Sequence, residues 1–232
     1  MTPCCILALR LTIEPTVAIT AALTYQTDGK FESIGRMDPT PIIDAVAVFC
    51  GSRAGNDPTY RAAARALGLG LARAGIRLVY GGGRVGLMGA LADAVLAAGG
   101  AVTGVIPEFL IQREIAHASI TELIVTDSMH SRKQRMFEAV DAFISLPGGL
   151  GTLDETIEII TWRQLGLHAK PILICDVAGS AKALLATIEG VIAADFAASE
   201  VRQIYEVWEG VPAVLERLAH LHHAPRGDVA RF

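Results

Sequence analysis

From residue 43 onward the apolar positions of the chain change period repeatedly, from short unbroken runs to positions spaced along one helical face and back. "IDAVAVFCGS" is an apolar run that ends at Gly51-Ser52 and predicts a strand followed by a loop. Beyond it, Tyr60, Ala63, Ala64, Leu67, Leu71 and Ala74 recur at helical spacing, and Gly75 stops the helix they predict. "IRLVYGGG" predicts a second strand with its own glycine turn. Leu87 to Ala98 predicts a helix of small residues, closed by Gly99-Gly100 and suited to lying tightly on a sheet. "AVTGVIP" and "ELIVT" predict short strands on either side of the more polar "EFLIQREIAHASI". A helix from about Ser131 to Val140 leads into a strand at "AFISLP", and the glycine-rich loop after it opens a helix through Leu165. "KPILIC" predicts a further strand and Ala181 to Ala194 a further helix, while "IYEVWE" and the helix "VPAVLERLAHL" close the series.

Strands alternating with helices predict βαβ units, and hence an α/β, Rossmann-like doubly wound parallel sheet in a single domain. We place that domain at residues 41–222, after an N-terminal extension (1–40) and before a loose C-terminal tail (223–232). A chain that is 52% hydrophobic and 19% charged, with a mean hydropathy of +0.43, suits a sheet buried on both faces. The apolar runs of "CCILALRLTIEPTVAITAALTY" are broken by Arg10, Glu14 and Pro15 and lack a preceding basic region. Neither run reaches the ~20 residues that a bilayer needs, so a membrane span and a signal peptide are disfavoured and a cytoplasmic location is expected. Met37 opens "MDPTPIIDAVAVF", a natural start to the first core strand, so residues 1–36 also read as an accessory or an artefactual extension.

Charge narrows the partners. A net charge of -4 and a pI near 5.9 leave no basic surplus for nucleic acid, so any phosphate site must come from local geometry. Cys4, Cys5, Cys50 and Cys175 show no CxxC spacing and read as reduced thiols. The six histidines lack metal-ligand spacing, so no metal and no cofactor is expected.

Two glycine turns compete for the phosphate role. Gly81-Gly82-Gly83-Arg84-Val85-Gly86 matches GxGxxG, with Glu108 at about the distance a dinucleotide fingerprint asks of its acidic residue. The turn, however, ends the second strand rather than the first, and Glu108 follows a proline. It reads as an NAD(P) site, as a tight turn permitting close helix packing, or as one wall of a nucleotide pocket. The second turn is "SLPGGLGTLDE". Pro147 sets the strand exit, Gly148, Gly149 and Gly151 let the backbone approach an anion, and Thr152 offers a hydroxyl at a helix N-terminus. No Gly-Lys-Ser/Thr follows, so it is not a Walker loop; a purely structural turn, with Asp154 and Glu155 complementing the helix dipole, is the alternative. Upstream, "HSRKQRM" places Arg132 and Lys133 near the start of the preceding helix. They reach the loop only if loop or subunit contacts bring them over the same crevice.

"PGGLGTLDE", "HSRKQRM" and "YGGGRVGLMGALADAV" together closely resemble the Lonely Guy (LOG) family, the cytokinin riboside 5'-monophosphate phosphoribohydrolases once mislabelled lysine decarboxylases. Pro147 to Glu155 meets the family's PGGxGTxxE, Met129, His130, Arg132 and Lys133 its upstream motif, and the likeness runs from about Val46 to Ala219. The resemblance implies hydrolysis of the N-glycosidic bond of adenosine 5'-monophosphates, with or without an N6 substituent, to free base and ribose 5-phosphate. It implies Arg132 and Glu155 as the catalytic residues. It also implies substrate contacts from Glu114, Lys133, Gly148, Gly149, Leu150, Gly151, Thr152, Leu153, Asp154 and Thr161. A homodimer with a site drawing on both subunits is implied as well.

Cleavage builds positive charge on the sugar, so Glu155 either stabilises that charge or handles the attacking water. Arg132 either binds phosphate or neutralises charge near the leaving base. Asp154 points about 100° away on the helix and reads as a helix-terminus charge. The rival reading is a non-catalytic nucleotide carrier, of the kind that transports molybdenum cofactor, which would need neither Arg132 nor Glu155.

Overall fold

The computed structural model describes residues 43–111 and 116–221. The expected extension over 1–40, the tail over 223–232 and Glu114 lie outside these residues.

The first strand, β1 (Ala45–Phe49), sends Ala45, Ala47 and Phe49 to one face of the sheet and Val46, Val48 and the following Cys50 to the other. Both faces are covered, which is why the sequence reads there as an unbroken apolar run. The chain continues through α1 (Pro58–Arg73), β2 (Arg77–Tyr80), α2 (Gly86–Ala97), β3 (Val102–Pro107) and β4 (Glu122–Thr126). It returns through α3 (Met129–Glu138) to β5 (Ala142–Ser145), then runs through α4 (Leu150–Gln164), β6 (Ile172–Asp176), α5 (Lys182–Ala193), β7 (Glu206–Glu209) and α6 (Gly210–Ala219). The strands form one seven-stranded sheet in the order β4-β3-β2-β1-β5-β6-β7, with every neighbouring pair parallel. Side chains of α1, α2 and α6 fill the core on one face, and those of α3, α4 and α5 fill it on the other. The expected doubly wound α/β fold is therefore present.

The chain reverses its direction of travel across the sheet between β1 and β5, which pair from Val46↔Ala142 to Phe49↔Ser145. Ligands of open α/β sheets bind above the carboxyl ends of the strands at such a switch point. The Asp141 carboxylate closes the junction from below by accepting the N–H groups of Asp44 and Ala45, each at 3.0 Å.

The start of α3 differs from the sequence expectation. The helix expected from about Ser131 starts two residues earlier, at Met129, because Ser128 caps it: its hydroxyl accepts from the N–H of Ser131 at 3.1 Å, and the Ser131 hydroxyl accepts from the N–H of Ser128 at 3.2 Å. The polar segment after β3 contains a short 3-10 turn, Glu108–Leu110, and Ala116 then bridges antiparallel to Gly83.

Candidate active site

Three loops meet above the switch point. The N–H of Gly51, just past β1, donates to the Pro147 carbonyl at 3.1 Å, and the N–H of Leu87 in α2 donates to the Gly51 carbonyl at 2.9 Å. Between them lies a cleft of about 140 Å³ lined by Cys50, Ser52, Gly81, Met88, Arg132, Glu155 and the glycine loop from Gly149 to Thr152.

The glycine loop divides into a packed half and an open half. A methyl group built on Gly148 would overlap the Thr152 side chain, so this glycine is required by its own neighbour. Gly149 and Gly151 have nothing within 4 Å of such a methyl group, which leaves space for a ligand against bare backbone. Gly149 is the N-cap of α4 and has no side chain to occupy the N–H groups of the first turn, the arrangement that favours an anion. Beneath the loop, Ser145 and Thr156 share a hydroxyl hydrogen bond of 2.9 Å, and Thr156 donates to the Thr152 carbonyl at 2.7 Å. This buried chain ties the first turn of α4 to the end of β5.

Charge is concentrated where α3 passes α4. Arg132 is 7% exposed; its Nε donates to the Val105 carbonyl at 3.1 Å, and its Nη2 lies 3.6 Å from Glu155 Oε1. Next to it, Lys133 Nζ meets Asp154 at 2.7 Å and Glu158 at 3.2 Å. Burial works against the Lys133 charge, but the hydrogen bonds and negative charge of Asp154 and Glu158 outweigh it and hold its pKa above the usual lysine value. Arg132 and Lys133 thus reach α4 within one chain. This is possible because α3 starts beside β3 and runs beneath the sheet to β5, laying Phe137 against Phe143 with ring centroids 5.7 Å apart.

The two residues expected to be catalytic, Arg132 and Glu155, are brought together with Gly149, Leu150, Gly151 and Thr152 in the cleft. Lys133 lies beside it, lining a small apolar cavity with Phe49, Phe137, Phe143 and Trp162. Asp154 requires a correction: it stands in the second turn of α4, beyond the reach of the helix-end dipole, and its partner is Lys133. Thr152 is 5% exposed and its side chain packs on Gly148, so the hydroxyl is less open than its position in the sequence suggests. Leu153 and Thr161 lie on the exposed side of α4, where Thr161 donates back to the Ile157 carbonyl at 2.8 Å.

Sequence reasoning overlooked Ser52, Met88 and Glu158, whose positions depend on which loops and helices adjoin. The first glycine turn does reach the cleft, but the space above Gly81 is filled by the Arg132 guanidinium rather than left for a pyrophosphate. Cys50 and Cys175 are both buried. Burial first, and then the charge of Asp176, push Cys175 up to about 12, so it stays protonated.

A family profile described as "possible lysine decarboxylase" matches residues 88–218. A cytokinin riboside 5'-monophosphate phosphoribohydrolase of Arabidopsis thaliana is 44% identical over 183 residues, which cover 79% of this chain and 85% of the relative. The enzyme of the same name from Rhodococcoides fascians is 50% identical over 152 residues, covering 65% of this chain and 76% of its own. Among solved structures, the molybdenum cofactor carrier protein of Chlamydomonas reinhardtii superposes with a TM-score of 0.58 at 18% identity, covering 78% of this chain and 96% of that one. The molybdenum cofactor binding protein of Rippkaea orientalis gives a TM-score of 0.55 at 21% identity, covering 78% of this chain and 96% of its own. At that identity the two structures speak for the fold alone. The relatives of 44% identity and above speak for descent, and the chain belongs to the Lonely Guy family of cytokinin riboside 5'-monophosphate phosphoribohydrolases.

Proposed function

We infer that this chain is an N-glycosyl hydrolase that cleaves adenosine 5'-monophosphates, including those with an N6 substituent, to the free base and ribose 5-phosphate. The observation that carries this reading is the Arg132–Glu155 pair at 3.6 Å, set beside an open glycine loop in one cleft. The substrate's phosphate takes the space over Gly149 and Gly151 at the N-terminus of α4. Glu155, one and a half turns further along the helix, then faces the ribose. Water adds its oxygen to C1′ as the bond from C1′ to the base nitrogen breaks, and the electron pair of that bond leaves with the base. Glu155 stabilises the positive charge growing on the sugar and takes the proton from the water; the departing base gains a proton in exchange. Arg132 orients the carboxylate and offsets the negative charge that develops on the base. No cofactor takes part.

The chain works as a homodimer in the cytoplasm. The support for a second copy is the apolar set Leu150, Leu153, Ile157 and Leu165, exposed along one side of α4 and its end, beside the cleft. The buried, protonated thiol of Cys175 suits a reducing compartment.

Incubation of the purified protein with AMP and with N6-isopentenyladenosine monophosphate, followed by chromatography for free base, tests the reading. Base release by the parent protein is expected, and Glu155→Gln and Arg132→Ala are expected to lose at least about 100-fold in rate with the fold retained. Nucleotide that binds but is recovered intact would instead make the chain a carrier.

A further inference from the structure

The first glycine turn has a use that the hydrolase reading leaves unassigned. A methyl group built on Gly81 would overlap Nη2 of Arg132 and lie 3.1 Å from Met88 Sδ. Gly81 is absent from the glycines with positive φ, so its backbone suits any residue, and lack of space is what excludes a side chain. The turn is braced from behind. The N–H of His117 donates to the Gly82 carbonyl at 3.0 Å, the His117 ring meets Asp93 of α2 at 3.0 Å, and Gly83 bridges to Ala116. Gly82 has φ +78°, and a methyl group there would meet Ile106 Cβ at 3.1 Å, so the turn has little room to retreat. On the other side, the guanidinium is held by the Val105 carbonyl and by Glu155.

We propose that Gly81 is a positioning residue for the hydrolysis: the braced turn is the seat of the Arg132 guanidinium, and its bare Cα lets Arg132 reach Val105 and Glu155 at once. This rests on the hydrolase reading for its effect on rate, though not for its effect on geometry. In Gly81→Ala the flexible end of Arg132, rather than the backbone, gives way. The fold is kept while the guanidinium leaves the Val105 carbonyl and turns from Glu155.

The test has two arms. In the kinetic arm, Gly81→Ala is expected to lower kcat for base release from AMP by about 10- to 100-fold, the usual cost of misplacing a catalytic group by an ångström. The same substitution in an Arg132→Lys background, where no guanidinium contests the space, is expected to change the remaining rate by no more than about twofold. An equal loss in both backgrounds overturns the proposal. In the structural arm, a crystal structure of Gly81→Ala is expected to show Arg132 Nε parted from the Val105 carbonyl; a guanidinium still in place overturns it. If Gly81→Ala does not fold, Gly81→Ala/Arg132→Ala is expected to fold, since removing the guanidinium frees the space, and its failure to do so also overturns the proposal. Should the parent protein release no base, the hydrolase reading falls, and the position of Arg132 in the crystal alone decides on the seat.

Discussion

Gly148 and Gly149 are neighbours that lack side chains for opposite reasons. Gly148 makes room for Thr152, while Gly149, like Gly151, faces open space. Gly148→Ala is therefore expected to cost about 1–3 kcal/mol of stability through overpacking, read as a lowered thermal midpoint. Gly151→Ala, inside α4, should leave that midpoint unchanged or raise it, since alanine favours helix by up to about 1 kcal/mol. Its effect should appear instead as a higher KM for AMP, because the new methyl group occupies the space assigned to the phosphate. A Gly151→Ala protein with unaltered KM would move the phosphate elsewhere. The glycine spacing was legible in the sequence because a loop between strand and helix has few other uses for so many glycines. Which glycine serves the protein and which the ligand was not legible, because that depends on where the Thr152 side chain turns. The pairing of Lys133 with Asp154 and Glu158 was equally hidden, since it arises from the passage of one helix across another.

Helix α4 carries more apolar surface than its own core uses. Thr152, Thr156, Ile159 and Ile160 face inward, yet Leu153 and Ile157 are each 37% exposed and Leu150 is 85% exposed. Ile157 lies on the side away from the sheet and does not line the cleft. Ile157→Glu is expected to leave the fold intact and convert the protein to a monomer by light scattering, with base release lowered if the partner completes the site. A dimer of unchanged mass would place the interface on another element. The existence of α4, opening at the glycine-rich loop and running through Leu165, was plain in the sequence, whereas its second apolar face was not, because a helix within a sheet protein is read first for its core side. The start of α3 was misjudged for a local reason: the paired serines 128 and 131 form a cap without the acidic residue that usually advertises one.

The alternation of strands and helices disclosed the whole-molecule architecture, and strand order was the part it withheld, since nothing local tells β5 to pair with β1 rather than with β4. The junction of α3, α4 and β6 also sets a pH dependence for the whole fold. His168 lies against the rings of Phe137 and Phe143, with its Nε2 donating to the Ile159 carbonyl at 2.9 Å. Burial lowers its pKa, the Ile159 hydrogen bond opposes this, and the charges of Arg163 and Lys170 add to the fall, leaving a value of about 4 against the usual 6.5. Between those values the unfolded chain takes up a proton that the folded chain refuses, so this group's stabilisation is complete above pH 6.5 and is lost as pH falls toward 4. His168→Gln is expected to flatten the fall of the thermal midpoint across that window, and an unchanged slope would show that other groups govern it. The crossover through α3 has a further consequence. Arg132 and Glu155 flank the strand that must return to β1 over a separation of 97 positions, from Asp44 to Asp141. Such a distant closure carries a larger loop-entropy cost than the contacts within a local βαβ unit. The chain through β4 contains the first glycine turn but neither Arg132 nor Glu155, the pair proposed to act on the substrate. Under the proposed roles of Arg132 and Glu155, base release therefore reports on a chain in which β1 and β5 have paired.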